Sequence, residues 1–294
     1  MPFSAETRAE LVRIWPEKRC CRRAELAGIA LALGEWEPAP AGGGGRLWVA
    51  AHSAALIRKA YRLLRDLGYS VVHETIGEHR HAAIATLRSG RRAAAFLAAG
   101  EGPKRACCAR AFLRGFFEAS GSVAEPHRTY HLEFVVHAEA PAATLLLALR
   151  RLGLNGAVAP RKRGFMVYIK DADAIVAALR ELGAHQALMR FENVRIMKDM
   201  RNQVNRLVNA ETANVDKTVQ AALQQSAAVR RIAERIGLEA LPPALGRAAQ
   251  LRLAHPYASM RELAELAPDV TKSGISYRLR RLCEIAERLE QDNA

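Results

Sequence analysis

The sequence contains no run of about 18 uncharged apolar residues, which excludes an ordinary membrane-spanning helix. No apolar h-region lies near the N-terminus, where acids and arginines come early, so no secretory signal peptide is read there. Cysteine is sparse. Cys20, Cys21, Cys107, Cys108 and Cys283 are odd in number, and four of them form vicinal pairs. That pattern does not suit a secreted disulfide framework and fits a reducing cytoplasm. No Gly-Lys-Ser/Thr follows Gly42 to Gly45, so this glycine run reads as a hairpin connection rather than a phosphate loop. Acidic side chains are in deficit, 30 against 44 Lys+Arg, for a net charge of +14. A positive balance of that size favours a polyanionic partner such as nucleic acid.

What is present is enough for several cores. The chain has 294 residues, half of them hydrophobic, and two or three domains are expected. An internal repeat organises its N-terminal part. The run Cys20-Cys21-Arg22-Arg23-Ala24-Glu25-Leu26-Ala27-Gly28 returns 87 residues later as Cys107-Cys108-Ala109-Arg110-Ala111-Phe112-Leu113-Arg114-Gly115. Each copy reads as helix, strand pair, helix, strand pair and last helix. In the second copy these fall near 104–119, 121–137, 141–152, 156–170 and 172–183. Tyr130, Leu132, Phe134 and Val136 alternate as a half-buried strand should. Leu145, Leu149 and Leu152 repeat at helical spacing, with Gly153 as the stop.

Ala24, Gly28 and Ala32 recur at i, i+4 and i+8, as do Ala111, Gly115 and Ala119. Small residues let helix backbones approach closely, and glycine inside a helix costs about 1 kcal/mol relative to alanine. Gly28 and Gly115 are therefore expected to pack the two repeated helices about a pseudo-twofold axis. Residues 26–34 and 113–121 resemble two degenerate LAGLIDADG motifs, the signature of a homing-endonuclease family with paired helices at the centre of a saddle of sheets. In that family the acidic residue before the final glycine binds the divalent metal. Here those positions are Leu33 and Ser120, which offer no carboxylate to hold Mg²⁺ and activate water. Glu118 lies two residues earlier, where the helix turns away from the site. No catalytic residue is expected, and neither a metal nor another cofactor. Adjacent cysteines on a helix point about 100° apart, against the C-x₂₋₄-C spacing of structural zinc, so the vicinal pairs read as buried small residues. His79, His81, His127, His131 and His137 read as surface or hairpin histidines.

Residues 185–243 read as a helical connector. Arg201, Asn202, Asn205, Arg206 and Asn209 form a polar run with three asparagines on one face, although asparagine is a poor helix former. Two readings stand: a surface for phosphates or another domain, or a hydrogen-bond network fixing a helix junction with Asn214 as the next N-cap. Leu241-Pro242-Pro243 is the expected linker.

From 244 to 294 the pattern is helix, turn, helix, turn, helix, near 244–254, 260–266 and 271–289. Ser259 and Glu262 form a capping box, and Thr271 caps the last helix. That helix opens with Lys272, Ser273, Gly274, Ser276, Tyr277, Arg278, Arg280 and Arg281, with no acid between Val270 and Cys283, while Ile275, Leu279 and Leu282 face the core. A helix-turn-helix presents the start of its second helix to the major groove. Cations at a helix N-terminus oppose its macrodipole, which an anionic partner would compensate. Ser259, Thr271 and this cationic set are the expected contacts to double-stranded DNA. The alternative is a module for protein contact.

The order of parts resembles the WhiA family of Gram-positive bacteria. The likeness rests on the second Cys-Cys helix with Tyr130-His131-Leu132-Glu133, on the run from Arg201 to Asn214, and on Thr271 through Arg280. Tyr277 departs from the histidine found in many members. The resemblance implies an α+β protein: a duplicated LAGLIDADG-like repeat (1–100 and 101–184) without nuclease activity, followed by an all-α helix-turn-helix domain. It further implies a cytoplasmic, nucleoid-associated regulator in cell division, chromosome segregation and sporulation. Its partners would be DNA and other regulators or division proteins, with no membrane and no small-molecule substrate. A nuclease or maturase, and a division-associated scaffold, are the competing readings.

Overall fold

A computed structural model describes residues 2–40, 44–77, 79–88 and 102–291. The chain divides into two compact units, 1–199 and 200–294. The part of the Gly42 to Gly45 run before Gly44 and the segment expected to form the last helix of the first repeat lie outside the described residues.

In the first unit, α1 (Phe3–Val12) precedes two copies of one motif. The first copy comprises α2 (Arg19–Leu33), β1 (Gly34–Pro38), β2 (Gly45–Ala51), α3 (Ala54–Asp66), β3 (Ser70–Ile76) and β4 (Arg80–Leu87). The second comprises α4 (Ala106–Ser120), β5 (Gly121–Val123), β6 (Leu132–Val136), α5 (Glu139–Arg151), β7 (Ala157–Arg161), β8 (Gly164–Ile169) and α6 (Ala172–Leu182). The two antiparallel sheets have matching orders, β1-β2-β4-β3 and β5-β6-β8-β7. This is the α+β class expected. Leu132, Phe134 and Val136 point into the core and their neighbours point out, the period-two burial of a one-sided strand. Tyr130 precedes the strand and packs its ring against Phe191. Gly153 takes φ +73°, as a helix stop requires.

Helices α2 and α4 form the central seam. A methyl at Gly28 would overlap the Phe112 carbonyl and lie 2.9 Å from the Phe116 nitrogen; one at Gly115 would overlap the Glu25 carbonyl. Adding 87 to Gly28 and to Glu25 gives Gly115 and Phe112, so the two contacts are exchanged copies of each other. This reciprocity is the pseudo-twofold expected from the small-residue stripes.

In the second unit, the core joins α8 (Pro243–Ala254), α9 (Met260–Leu266) and α10 (Lys272–Gln291) to Ala228, Val229 and Ile232. Those three residues belong to α7 (His185–Arg235), a 51-residue helix that runs on from the first unit into the second. Leu241, in the expected linker, is itself buried in this core. Among the described residues, no helix is long and apolar enough to cross a membrane.

Candidate nucleic-acid interface

The helix-turn-helix is built from local rules. Ser259 Oγ accepts from the Glu262 amide at 3.3 Å, and the Ser259 amide donates to Glu262 Oε2 at 2.7 Å, which completes the capping box. Thr271 Oγ1 accepts from the Gly274 amide at 3.2 Å and lies 3.0 Å from Ser273 Oγ. Ser259 and Thr271, two of the hydroxyls offered to DNA, thus also start helices. Ile275, Leu279, Leu282 and Ala286 seat α10 on the core.

That seating decides which polar residues remain open. Lys272, Ser273, Ser276, Tyr277 and Arg280 are exposed, Tyr277 to 62%. The helical period of 3.6 puts Ser273, Tyr277 and Arg280 opposite the buried row, with Ser276 beside them. Arg278 and Arg281 flank this face and are half-buried. Arg278 lines a hollow with Arg247 and Asp269, and Arg281 pairs with Glu284 at 2.6 Å. A side-chain carbon at Gly274 would sit 2.9 Å from Val270 Cγ1, so the glycine fits the turn against α10.

Three cations were not anticipated. Arg261, 83% exposed along its side chain, joins Lys217 and Lys272 around a groove beside Ser259. Arg252 lines the same groove, yet it is 1% exposed, and its guanidinium donates to the Ala258 carbonyl at 2.6 Å and the His255 carbonyl at 3.2 Å. It pins the α8–α9 turn, and its burial lowers its pKa. In the sequence it stands between Leu251 and Leu253, two apolar neighbours that give no sign of a buried cation.

The polar run on α7 corrects one expectation. Arg201, Asn202, Asn205, Arg206 and Asn209 are all exposed on an unbroken helix. Asn214 does not cap a new helix, because α7 continues unbroken through it from His185 to Arg235. The junction reading therefore fails. Helical weakness at asparagine is offset by a 51-residue hydrogen-bonded ladder that leaves the amides in solvent. On the opposite face Met200, Val204, Leu207 and Val215 are also exposed.

In the first unit, Leu33 packs on the first repeat's core and Ser120 ends α4. Glu118, which the sequence turned away from any site, lies in a buried ionic quartet at the centre of the seam. Lys59 Nζ contacts Glu118 Oε1 at 2.6 Å, Glu25 Oε1, and the Leu11 carbonyl at 3.2 Å. Arg114 grips Glu25 Oε2, its Nε at 3.0 Å. Glu25 and Glu118 are 0% and 3% exposed. Burial first, opposed by Lys59 and aided by Glu25, pushes Glu118 up to about 7. The quartet holds helices of both repeats together, and both of its carboxylates are committed to cations. The histidines sit on or near the sheets: His73 and His81 stack at 5.9 Å, and His131 Nε2 lies 3.2 Å from Glu133 Oε2.

A three-helix reader with an open cationic helix start, together with a duplicated α/β unit of LAGLIDADG type, defines a class: helix-turn-helix proteins with a LAGLIDADG-like domain whose metal positions carry no carboxylates. The comparisons narrow this. Residues 204–286 match the WhiA C-terminal HTH domain, and residues 109–201 match the WhiA LAGLIDADG-like domain. The chain is 43% identical to the "Probable cell division protein WhiA" of Heliobacterium modesticaldum, over 98% of this chain and 96% of that protein. It is 41% identical to the protein of the same name in Desulforudis audaxviator, over 98% of each. The crystal structure of full-length DUF199/WhiA from Thermatoga maritima matches with a TM-score of 0.63 at 28% identity, covering 98% of this chain and 99% of that one. The chain belongs to the WhiA family.

Proposed function

We propose that the second unit binds duplex DNA by laying the start of α10 in the major groove, and that the protein acts there as a regulator rather than an enzyme. The observation that carries this reading is the open face of Lys272, Ser273, Ser276, Tyr277 and Arg280, which holds no carboxylate. Cations and hydroxyls suit phosphate oxygens and base edges. Arg261 and Lys217 extend the cationic surface. The exposed Arg201, Asn202, Asn205, Arg206 and Asn209 offer donors without sequence preference, for a phosphate backbone or another domain.

The role that follows is in cell division, in keeping with the relatives' name. Transcription regulation, chromosome segregation and sporulation are the finer parts of that role, and other regulators or division proteins are its expected protein partners. The proposed domain plan is repeats at 1–100 and 101–184, a connector at 185–243 and a reader at 244–294, with Ala228, Val229, Ile232 and Leu241 of the connector packed into the reader's core. Leu33 and Ser120 support a scaffold without nuclease activity, as does the burial of Glu25 and Glu118 against Lys59 and Arg114. A cytoplasmic, nucleoid-associated protein that takes neither a small-molecule substrate nor a catalytic metal fits these features.

Fluorescence anisotropy on genomic duplex fragments tests the reading. Arg280→Ala should weaken binding and narrow the spread of affinities among sequences; unchanged affinity and spread would refute it. Plasmid DNA should survive hours with Mg²⁺ or Mn²⁺, whereas cleavage would establish the nuclease.

A further inference from the structure

The two vicinal cysteine pairs, 87 residues apart in sequence, meet in space. The Sγ atoms of Cys20, Cys21, Cys107 and Cys108 all lie within 4.8 Å of one another, and within each pair the sulfurs are 4.0 Å apart. Among the described residues, they are the group of three or more His, Cys, Asp or Glu side chains placed to hold one ion. A tetrahedral zinc tetrathiolate with Zn–S of about 2.3 Å has S–S edges of about 3.8 Å. The observed quartet is within a small rotamer adjustment of that figure. It is too compact for an iron–sulfur cluster, in which the thiolates are spread over several irons.

The spacing rule that argued against zinc applies to ligands supplied by one knuckle. Here each repeat supplies two, and the pseudo-twofold axis brings the pairs face to face. Cys20 and Cys21 occupy the second and third positions of α2, and Cys107 and Cys108 the same positions of α4. Both helices are capped by residues without a side-chain acceptor, Lys18 and Arg105, and neither cap makes a side-chain hydrogen bond. Two helix N-termini therefore converge on the sulfurs. Amide dipoles and the flanking cations Lys18, Arg19 and Arg105 suit a site that carries two net negative charges when filled. Cys21 is buried and the other three are part-buried. All four positions are thus taken by protein, as in a closed structural site rather than an open catalytic one.

We propose that Cys20, Cys21, Cys107 and Cys108 bind one zinc ion as a structural tetrathiolate that ties together the N-terminal ends of α2 and α4. Four thiols lose four protons as the divalent ion binds, leaving a complex of charge −2. No electron is transferred. The ion clamps one end of the seam whose middle is held by Gly28, Gly115 and the ionic quartet.

The test uses the full chain, purified under reducing conditions without added chelator. Elemental analysis should find one zinc per chain, and Cys283→Ser should retain it. Cys20→Ser/Cys107→Ser should reduce it to below about a tenth. Should that variant not fold, the wild-type chain decides alone. Stripped with a mercurial and titrated with Co²⁺ under argon, it should develop thiolate-to-cobalt charge-transfer and tetrahedral d–d absorption that saturates at one equivalent. Metal-free protein whose four thiols titrate freely and which gives no cobalt spectrum would overturn the assignment. So would a disulfide within the quartet in freshly isolated protein.

Discussion

Replacing Lys59 by methionine should cost the first unit about 3–5 kcal/mol at pH 8, the range for breaking a buried ion pair by removing one partner. The upper part of that range applies, because Lys59 contacts both Glu25 and Glu118 and each carboxylate is almost wholly buried. Methionine keeps the packing volume, so the loss is one of charge rather than of contact. The cost should depend on pH. Glu118 has a folded-state pKa raised from 4.5 to about 7, chiefly by burial. Between those values the folded chain holds a proton that the unfolded chain has released. The stabilisation from that proton is complete below 4.5 and lost as pH rises through about 7. At pH 5 Glu118 is protonated and Lys59 neutralises Glu25 alone, so Lys59→Met should cost clearly less than at pH 8. Urea unfolding followed by tryptophan fluorescence measures this in the full chain, because Trp15, Trp36 and Trp48 all lie in the first unit. A loss below about 1 kcal/mol that is the same at both pH values would refute the buried quartet.

Three further outcomes follow from the same geometry. Glu118→Gln keeps the shape of the site and should flatten the fall in first-unit stability between pH 4.5 and 7, measured by the same unfolding series. Gly28→Ala should destabilise that unit by about 1–3 kcal/mol, because its methyl overlaps the Phe112 carbonyl and the helices must part; a neutral result by calorimetry would contradict the close seam. Arg252→Ala should lower the stability of the second unit by about 2–4 kcal/mol, as two turn carbonyls lose their partner and a cavity opens, and hydrogen exchange in α8 and α9 should report it.

Much of this architecture could be read from residue order. The duplicated Cys-Cys helix announced the repeat, the glycine stripes announced the seam, and the Ser259–Glu262 box fixed the start of α9 within the reader. Each signal is local or periodic. The ionic quartet is neither. Glu25, Lys59, Arg114 and Glu118 lie on three amphipathic helices, where isolated charges normally mark a solvent face. Their adjacency to the small-residue stripes was the available signal: Glu25 follows Ala24, and Arg114 precedes Gly115. Close backbone approach at the glycines leaves long side chains beside them no route to water. The unbroken α7 was missed for a different reason. Asparagine weakens an isolated helix, but in a ladder of 51 residues the penalty is carried by the rest of the ladder. The cysteine cluster escaped a rule written for single segments, although the duplication itself placed two pairs in equivalent positions. Within α10, sequence identified the cationic start but not its division into an open face and two half-buried flanks, which depends on how Ile275 and Leu279 seat the helix.

The most direct measurement is the salt dependence of duplex binding by the full chain and by Lys272→Ala and Arg280→Ala. If the start of α10 lies in the groove, the slope of log affinity against log salt should fall by about 0.9 for each phosphate contact removed at Lys272. Arg280→Ala should also reduce the preference for cognate over unrelated duplex. Identical slopes and an identical preference in all three proteins, with wild-type folding retained, would contradict the assignment of this helix as the DNA-reading surface.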